Sequence, residues 1–212
     1  MKAWMSWLVV GAGALLLGSC TTMSKDECLM GAWGQKGYQD GLSGYDPSRL
    51  DDHAEACAKH GVGPNPTAYL SAREDGLRQY CTARNGFTQG RRGNSYRGVC
   101  RPEEEDGFIP AYRDGLEIHA AEQALASAQS DLQSAIRRIR DRQDKLEAKQ
   151  RELRQSGLTD QERAHIRERI SEVRGEIVRA RRDARDAQDY VAMAEAELRT
   201  VLRIIGSRHG GW

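Results

Sequence analysis

Residues 166–205 carry an apolar stripe that leaves this part of the chain few ways to fold. Ile166, Ile170, Val173, Ile177, Ala180, Ala184, Ala187, Val191, Ala194, Leu198, Val201 and Ile205 follow one another in steps of four and three with no polar break. That spacing lines up one seam of an α-helix, and a seam so long must be covered by another. The preceding segment offers one with the same period: Ile118, Ala121, Leu125, Ala128, Leu132, Ala135, Ile139, Arg142, Leu146, Lys149 and Leu153. Between them, Ser156-Gly157-Leu158-Thr159 combines a helix stop with a restart, and Thr159 and Glu162 form a capping-box pattern.

Folding back at that turn sets Leu146 against Ile170, Ile139 against Ile177, Leu125 against Val191 and Ile118 against Leu198. The same register sets Ala121, Ala128 and Ala135 against Ala194, Ala187 and Ala180. Alanine layers allow helices to approach to about 8 Å, the near end of the usual range. Residues 110–206 are therefore expected to form an antiparallel helical hairpin within one chain, with residues 207–212 as a flexible tail. A monomer is favoured, and pairing of the same stripes between molecules is the alternative.

Residues 26–109 read as a small glycine-rich, disulfide-linked helical head, which makes the chain all-α. Lys and Arg number 32 against 31 Asp and Glu, so no net field favours nucleic acid. With aromatics at 6% of the residues, neither part can bury a large core.

At the N-terminus, Lys2 precedes a short apolar run from Leu8 to Leu17. Leu17-Gly18-Ser19-Cys20 resembles the lipobox of bacterial lipoproteins. The resemblance implies that residues 1–19 are a signal peptide and that Cys20 carries a covalent lipid, with residues 20–25 as a short tether. Thr21 stands where an aspartate would retain such a protein in the inner membrane. The expected location is the outer membrane, facing the periplasm.

Cys28, Cys57, Cys81 and Cys100 remain, an even number in a small exported head, which points to two disulfides. Three connectivities are open, and Cys28–Cys57 with Cys81–Cys100 closes the most modest loops. Ser24 to Glu27 reads as a capping box opening a first helix that bears Gly34, Gly37, Gly41 and Gly44 on one face. Four such glycines in a helix imply close backbone packing, or else a ligand groove. Asp46-Pro47 starts a second helix ending at Gly61, and Asn65-Pro66 starts a third ending at Asn85-Gly86. Residues 87–99 read as an irregular loop, 101–106 as a solvated acidic stretch, and Pro110 as the first turn of the long helix. Asp-Gly-Leu recurs at 40–42, 75–77 and 114–116, as helical repeats would have it.

Trp33, Gly37, Asp40-Gly41, Gly44, His53, Cys57, Tyr69, Gly76, Tyr80-Cys81, Gly90, Tyr96 and Cys100 together resemble DUF2799, a family of bacterial lipoproteins. The resemblance spans roughly residues 25–116, implies no activity, and leaves the hairpin as an extension.

Candidate chemistry is sparse. His53, Cys57 and His60 fall on one helical face at zinc-ligand spacing, but a cysteine in a disulfide is no thiolate, so no metal is expected. Asp40, Asp75 and Asp114 would form a carboxylate cluster if the repeats converged. Arg137, Arg138, Arg140, Arg179, Arg181, Arg182 and Arg185 make a basic belt midway along the hairpin, either a solvated stalk surface or a site for an anionic envelope polymer or an acidic protein. The turn at Gly157 resembles the hairpin tips of periplasmic efflux adaptors, without their arginine–leucine–serine spacing. The functional expectation is a non-enzymatic envelope lipoprotein acting as an interaction or scaffold module through its stalk, with no cofactor beyond the lipid. The alternatives are a small metal- or carboxylate-dependent hydrolase in the head, and a self-assembling lipoprotein or transport accessory.

Overall fold

A computed structural model describes residues 22–209. Residues 1–21, on which the expected signal peptide and lipidated Cys20 fall, and residues 210–212 lie outside them. The described residues are helical without strands, in the order α1 (Lys25–Leu29), α2 (Trp33–Leu42), α3 (Arg49–Ala58), α4 (Pro66–Tyr80), α5 (Ala83–Arg91), α6 (Pro102–Leu153) and α7 (Asp160–His209). None of these helices is long and apolar enough to cross a membrane. The chain divides into two compact units, one ending at Leu77 and the other beginning at Arg78.

In the first unit the capping box forms as the sequence implies: Ser24 accepts from the Glu27 amide, and Glu27 accepts from the Ser24 amide. Lys36 also reaches Glu27 at 2.9 Å. These hydrogen bonds, Lys36's first among them, hold the Glu27 carboxyl down at about 2. The helix it opens is shorter than expected. Gly31 takes φ +66°, which ends α1 after five residues and redirects the chain into α2. Gly44 lies beyond α2, also at positive φ. α3 starts at Arg49 rather than at Asp46-Pro47, whose residues form the preceding turn with Asp46 accepting from the Ser48 amide. At α4, Asn65 accepts from the Ala68 amide ahead of Pro66. Cys28–Cys57 ties α1 to α3, and Met23, Trp33 and Tyr69 pack around it.

The second unit departs further from the expected boundaries. α4 ends at Tyr80, and Thr82, in extended conformation, accepts from the Asn85 amide to start α5. Gly86 and Gly90 are thus interior to a helix, and the irregular segment shrinks to residues 92–101, closed by Cys81–Cys100. α6 begins at Pro102, not Pro110. Proline belongs at that first position, and Glu103, Glu104 and Glu105 favour the positive end of the helix dipole. Pro110 sits inside α6.

α6 and α7 form the antiparallel hairpin. Ile166, Ile170, Val173, Ile177, Ala180, Val201 and Ile205 are buried along α7, as are Ile118, Ala121 and Ala135 along α6. Ile118, Ala121, Val201 and Ile205 share one core cluster with Leu198 and Phe87 against it. Arg142, on the seam, reaches across to Glu176 at 2.6 Å, and Lys149 pairs with Glu152 on its own helix. Gly157 at φ +88° makes the turn, and Glu162 accepts from the Thr159 amide. α7 continues to His209, past the expected end, because Asp114 of α6 receives both Arg208 and His209 at 2.8 and 2.7 Å.

Candidate functional site

Each unit contains a helix crossing built on glycine. In the first, α2 lies against α4 so closely that a Cβ on Gly37 would overlap the Tyr69 carbonyl. One on Gly41 would overlap that of Arg73, and one on Gly76 that of Tyr38. In the second, α5 meets α6 with Gly86 at the Phe108 carbonyl, Gly90 at that of Tyr112 and Gly115 at that of Phe87. The contacts correspond residue for residue. Gly37 to Gly86 and Gly41 to Gly90 are each 49 positions apart; Tyr69 to Phe108 and Gly76 to Gly115 are each 39 apart. Each crossing also has a disulfide: Cys81–Cys100 joins residues just ahead of α5 and α6, while Cys28–Cys57 joins α1 and α3, the helices that precede α2 and α4. The head is a duplicated module, and the Asp-Gly-Leu echoes at 75–77 and 114–116 are its equivalent second helices. The echo at 40–42 lies on the opposite side of the first crossing.

The first crossing encloses a carboxylate and an imidazole. Asp40, one residue before Gly41, is 6% exposed. Its Oδ2 accepts from the Tyr69 hydroxyl at 2.6 Å and from His53 Nε2 at 2.7 Å, with His53 1% and Tyr69 0% exposed. Burial alone pushes the Asp40 carboxyl up, but the bonds from His53 and Tyr69, with the nearby Arg49 charge, bring it below its ordinary value. The Tyr69 hydroxyl is driven upward, chiefly by burial and then by its bond to Asp40. A carboxylate can only accept, so His53 carries its proton on Nε2; its Nδ1 is buried without a hydrogen-bond partner among the described residues. Arg73 donates twice to the Tyr45 carbonyl, and Arg49 lies 5.0 Å over the Tyr45 ring. Together these bonds lock α2, α3 and α4 to one another.

The second crossing is aromatic instead. Phe108 stands where Tyr69 does and Gln89 where Asp40 does. Phe108 lies 5.4 Å from Tyr80 and 4.8 Å from Tyr96. The Tyr96 hydroxyl donates to Glu105 and accepts from the Cys100 amide; burial, then Glu105, pushes it up to about 12. The Tyr112 hydroxyl donates to the Asn94 carbonyl, stitching down the loop that precedes α6.

The residues singled out from the sequence are distributed as follows. The four head cysteines form the two disulfides. His53 faces Asp40. His60 is exposed beyond the end of α3, so the row of His53, Cys57 and His60 does not assemble as a ligand set. Among the described residues no group of three His, Cys, Asp or Glu side chains is placed to hold a metal ion. The three aspartates do not converge: Asp40 is buried with His53 and Tyr69, Asp75 is exposed, and Asp114 pairs with Arg208 and His209. The seven belt arginines are all exposed. Arg137 donates to Ser134, while Arg138, Arg140, Arg179, Arg181, Arg182 and Arg185 have no ion-pair partner among the described residues. The polar cluster escaped sequence reasoning because its members are 13 and 29 residues apart with no local periodicity.

No curated protein and no solved structure matches the chain. A family model does match residues 32–117, which run from the residue before α2 into α6 and take in both glycine crossings. The family so matched is described as a protein of unknown function, DUF2799, and the match covers the head of this chain.

Proposed function

We propose that the protein is a non-enzymatic interaction module of the bacterial cell envelope, tethered by a lipid on Cys20 and engaging an anionic partner through its hairpin. The basic belt carries this reading. Residues 137–145 and 174–185 hold ten basic against four acidic side chains, in a chain whose charges nearly balance as a whole. Six of those arginines are exposed and unpaired among the described residues. Guanidinium groups so placed are suited to carboxylate- or phosphate-rich surfaces, which they bind through paired N–H donors. The Leu17-Gly18-Ser19-Cys20 sequence and the two disulfides support an exported, oxidising location.

Two measurements test the reading. Replacing Cys20 with Ala should move the protein from the membrane to the soluble fraction. Reversing Arg138, Arg181 and Arg182 to Glu in a soluble form should abolish retention on immobilised poly-glutamate at physiological salt, where the unmodified hairpin is retained. Equal retention of both forms would remove the belt from the mechanism.

A further inference from the structure

The exposed face of α5 lines a cleft that the belt does not use. Arg84, Phe87, Thr88, Arg91 and Arg92, with Glu122 of α6, line an open cleft of about 540 Å³, a volume typical of small-molecule sites. Phe87 and Arg91 also form one wall of a second recess, of about 170 Å³, whose other walls include Ile118, Leu202 and Ile205. Ile118 and Ile205 are buried, Leu202 is 39% exposed, and Phe87 lies 5.1 Å from the His209 ring, so the inner recess is largely apolar. The outer rim is cationic. Arg91 is paired with Glu122 at 2.8 Å, while Arg84 and Arg92 are exposed with no ion-pair partner among the described residues.

We infer that this cleft binds a single-chain anionic amphiphile, its carboxylate or phosphate head between Arg84 and Arg92 and its hydrocarbon chain passing Phe87 into the recess. The ordering of the surfaces, cations outside and aliphatic side chains within, matches the ordering of such a molecule. A purely polar anion would leave the recess empty, and a neutral amphiphile would leave the rim unpaired. The occupant is taken up as a free molecule, since the two adjoining recesses, of about 540 and 170 Å³, are sized for one small molecule rather than for a membrane surface.

Titration calorimetry with dodecyl phosphate, dodecyl maltoside and inorganic phosphate tests this on the chain lacking residues 1–20. Dodecyl phosphate should bind saturably below its micellar concentration, with the other two at least about tenfold weaker, as loss of either the charge-assisted bonds or the apolar burial predicts. Arg84→Ala with Arg92→Ala should weaken dodecyl phosphate by about tenfold or more. Gly206→Leu supplies a second variant, at a position that lines the recess and where a Cβ meets nothing within 4 Å. It should block the chain while leaving thermal unfolding unimpaired. Equal binding of dodecyl maltoside, binding unaffected by either variant, or binding only to anionic vesicles would each overturn the assignment.

Discussion

The crossing of α2 with α4 and the crossing of α5 with α6 use the same backbone contacts to enclose opposite interiors. Both bring helices together at glycine until carbonyls occupy the space of a missing Cβ. In the first, the segment between the paired helices contains α3, which carries His53 to Asp40. In the second, that segment is the short irregular stretch 92–101, Gln89 replaces the aspartate, and Tyr96 and Tyr112 fill the space with rings. The difference teaches that the glycine contacts define the module, while the polar cluster is an elaboration delivered by one inserted helix. A buried carboxylate with two donors is tolerable only where both donors exist, so Asp40 and α3 stand or fall together.

The largest expected effect treats the two crossings alike. Opening Cys28–Cys57 or Cys81–Cys100 by paired Ser substitutions should each cost about 3–4 kcal/mol in denaturant unfolding, since the bridged residues are 29 and 19 positions apart. A loss at only one bridge would break the equivalence of the modules. Next, Gly41→Ala and Gly90→Ala should each destabilise by about 3 kcal/mol, because a methyl group must push a helix backbone away. Alanine normally strengthens a helix relative to glycine by about 1 kcal/mol, so the sign is the informative result.

The third prediction separates the crossings. Tyr69→Phe, which gives the first crossing the second's type of residue, should cost about 1–3 kcal/mol by stripping a donor from Asp40. Gln89→Ala should cost under about 1 kcal/mol. The contrast should also appear with pH. Asp40 lies below its ordinary value when folded, so its contribution is present above about pH 4 and is lost as pH falls through its folded pKa. Relative to wild type, the Asp40→Gln, Tyr69→Phe double variant should lose less stability between about pH 5 and pH 3. The smallest effect is a gain. Gly34→Ala meets only Ala68 and Ala72 at ordinary contact distance and should stabilise by about 0.5–1 kcal/mol.

The hairpin was legible because its signal is local: period, turn glycine and capping pair all lie within a few residues of what they specify. The Ser24 capping box and the Asn65-Pro66 start were legible for the same reason. The head was read less well where glycine has two meanings. Gly86 resembles a helix stop, yet it lies within α5 because Phe108 presses on it from another helix, a contact far away in sequence. Pro110 drew attention from Pro102, although three glutamates following Pro102 were the stronger start signal. The duplication was only half visible. α3 lengthens the first module by about ten residues, which changes the offset from 49 to 39 and removes any constant period. Asp40, His53 and Tyr69 could be named individually but not joined, since only the folded crossing brings them within reach.

α6 runs unbroken from Pro102 to Leu153, so the helix that meets α5 at Gly115 is the same rod that reaches the turn near Gly157. From Gly115 to Leu153 it extends about 57 Å at 1.5 Å per residue. A sideways force on the far end therefore acts as a lever with its fulcrum at the Gly90–Gly115 contact. Whatever tugs on the outer end is felt as torque on the loop stapled by Cys81 and Cys100.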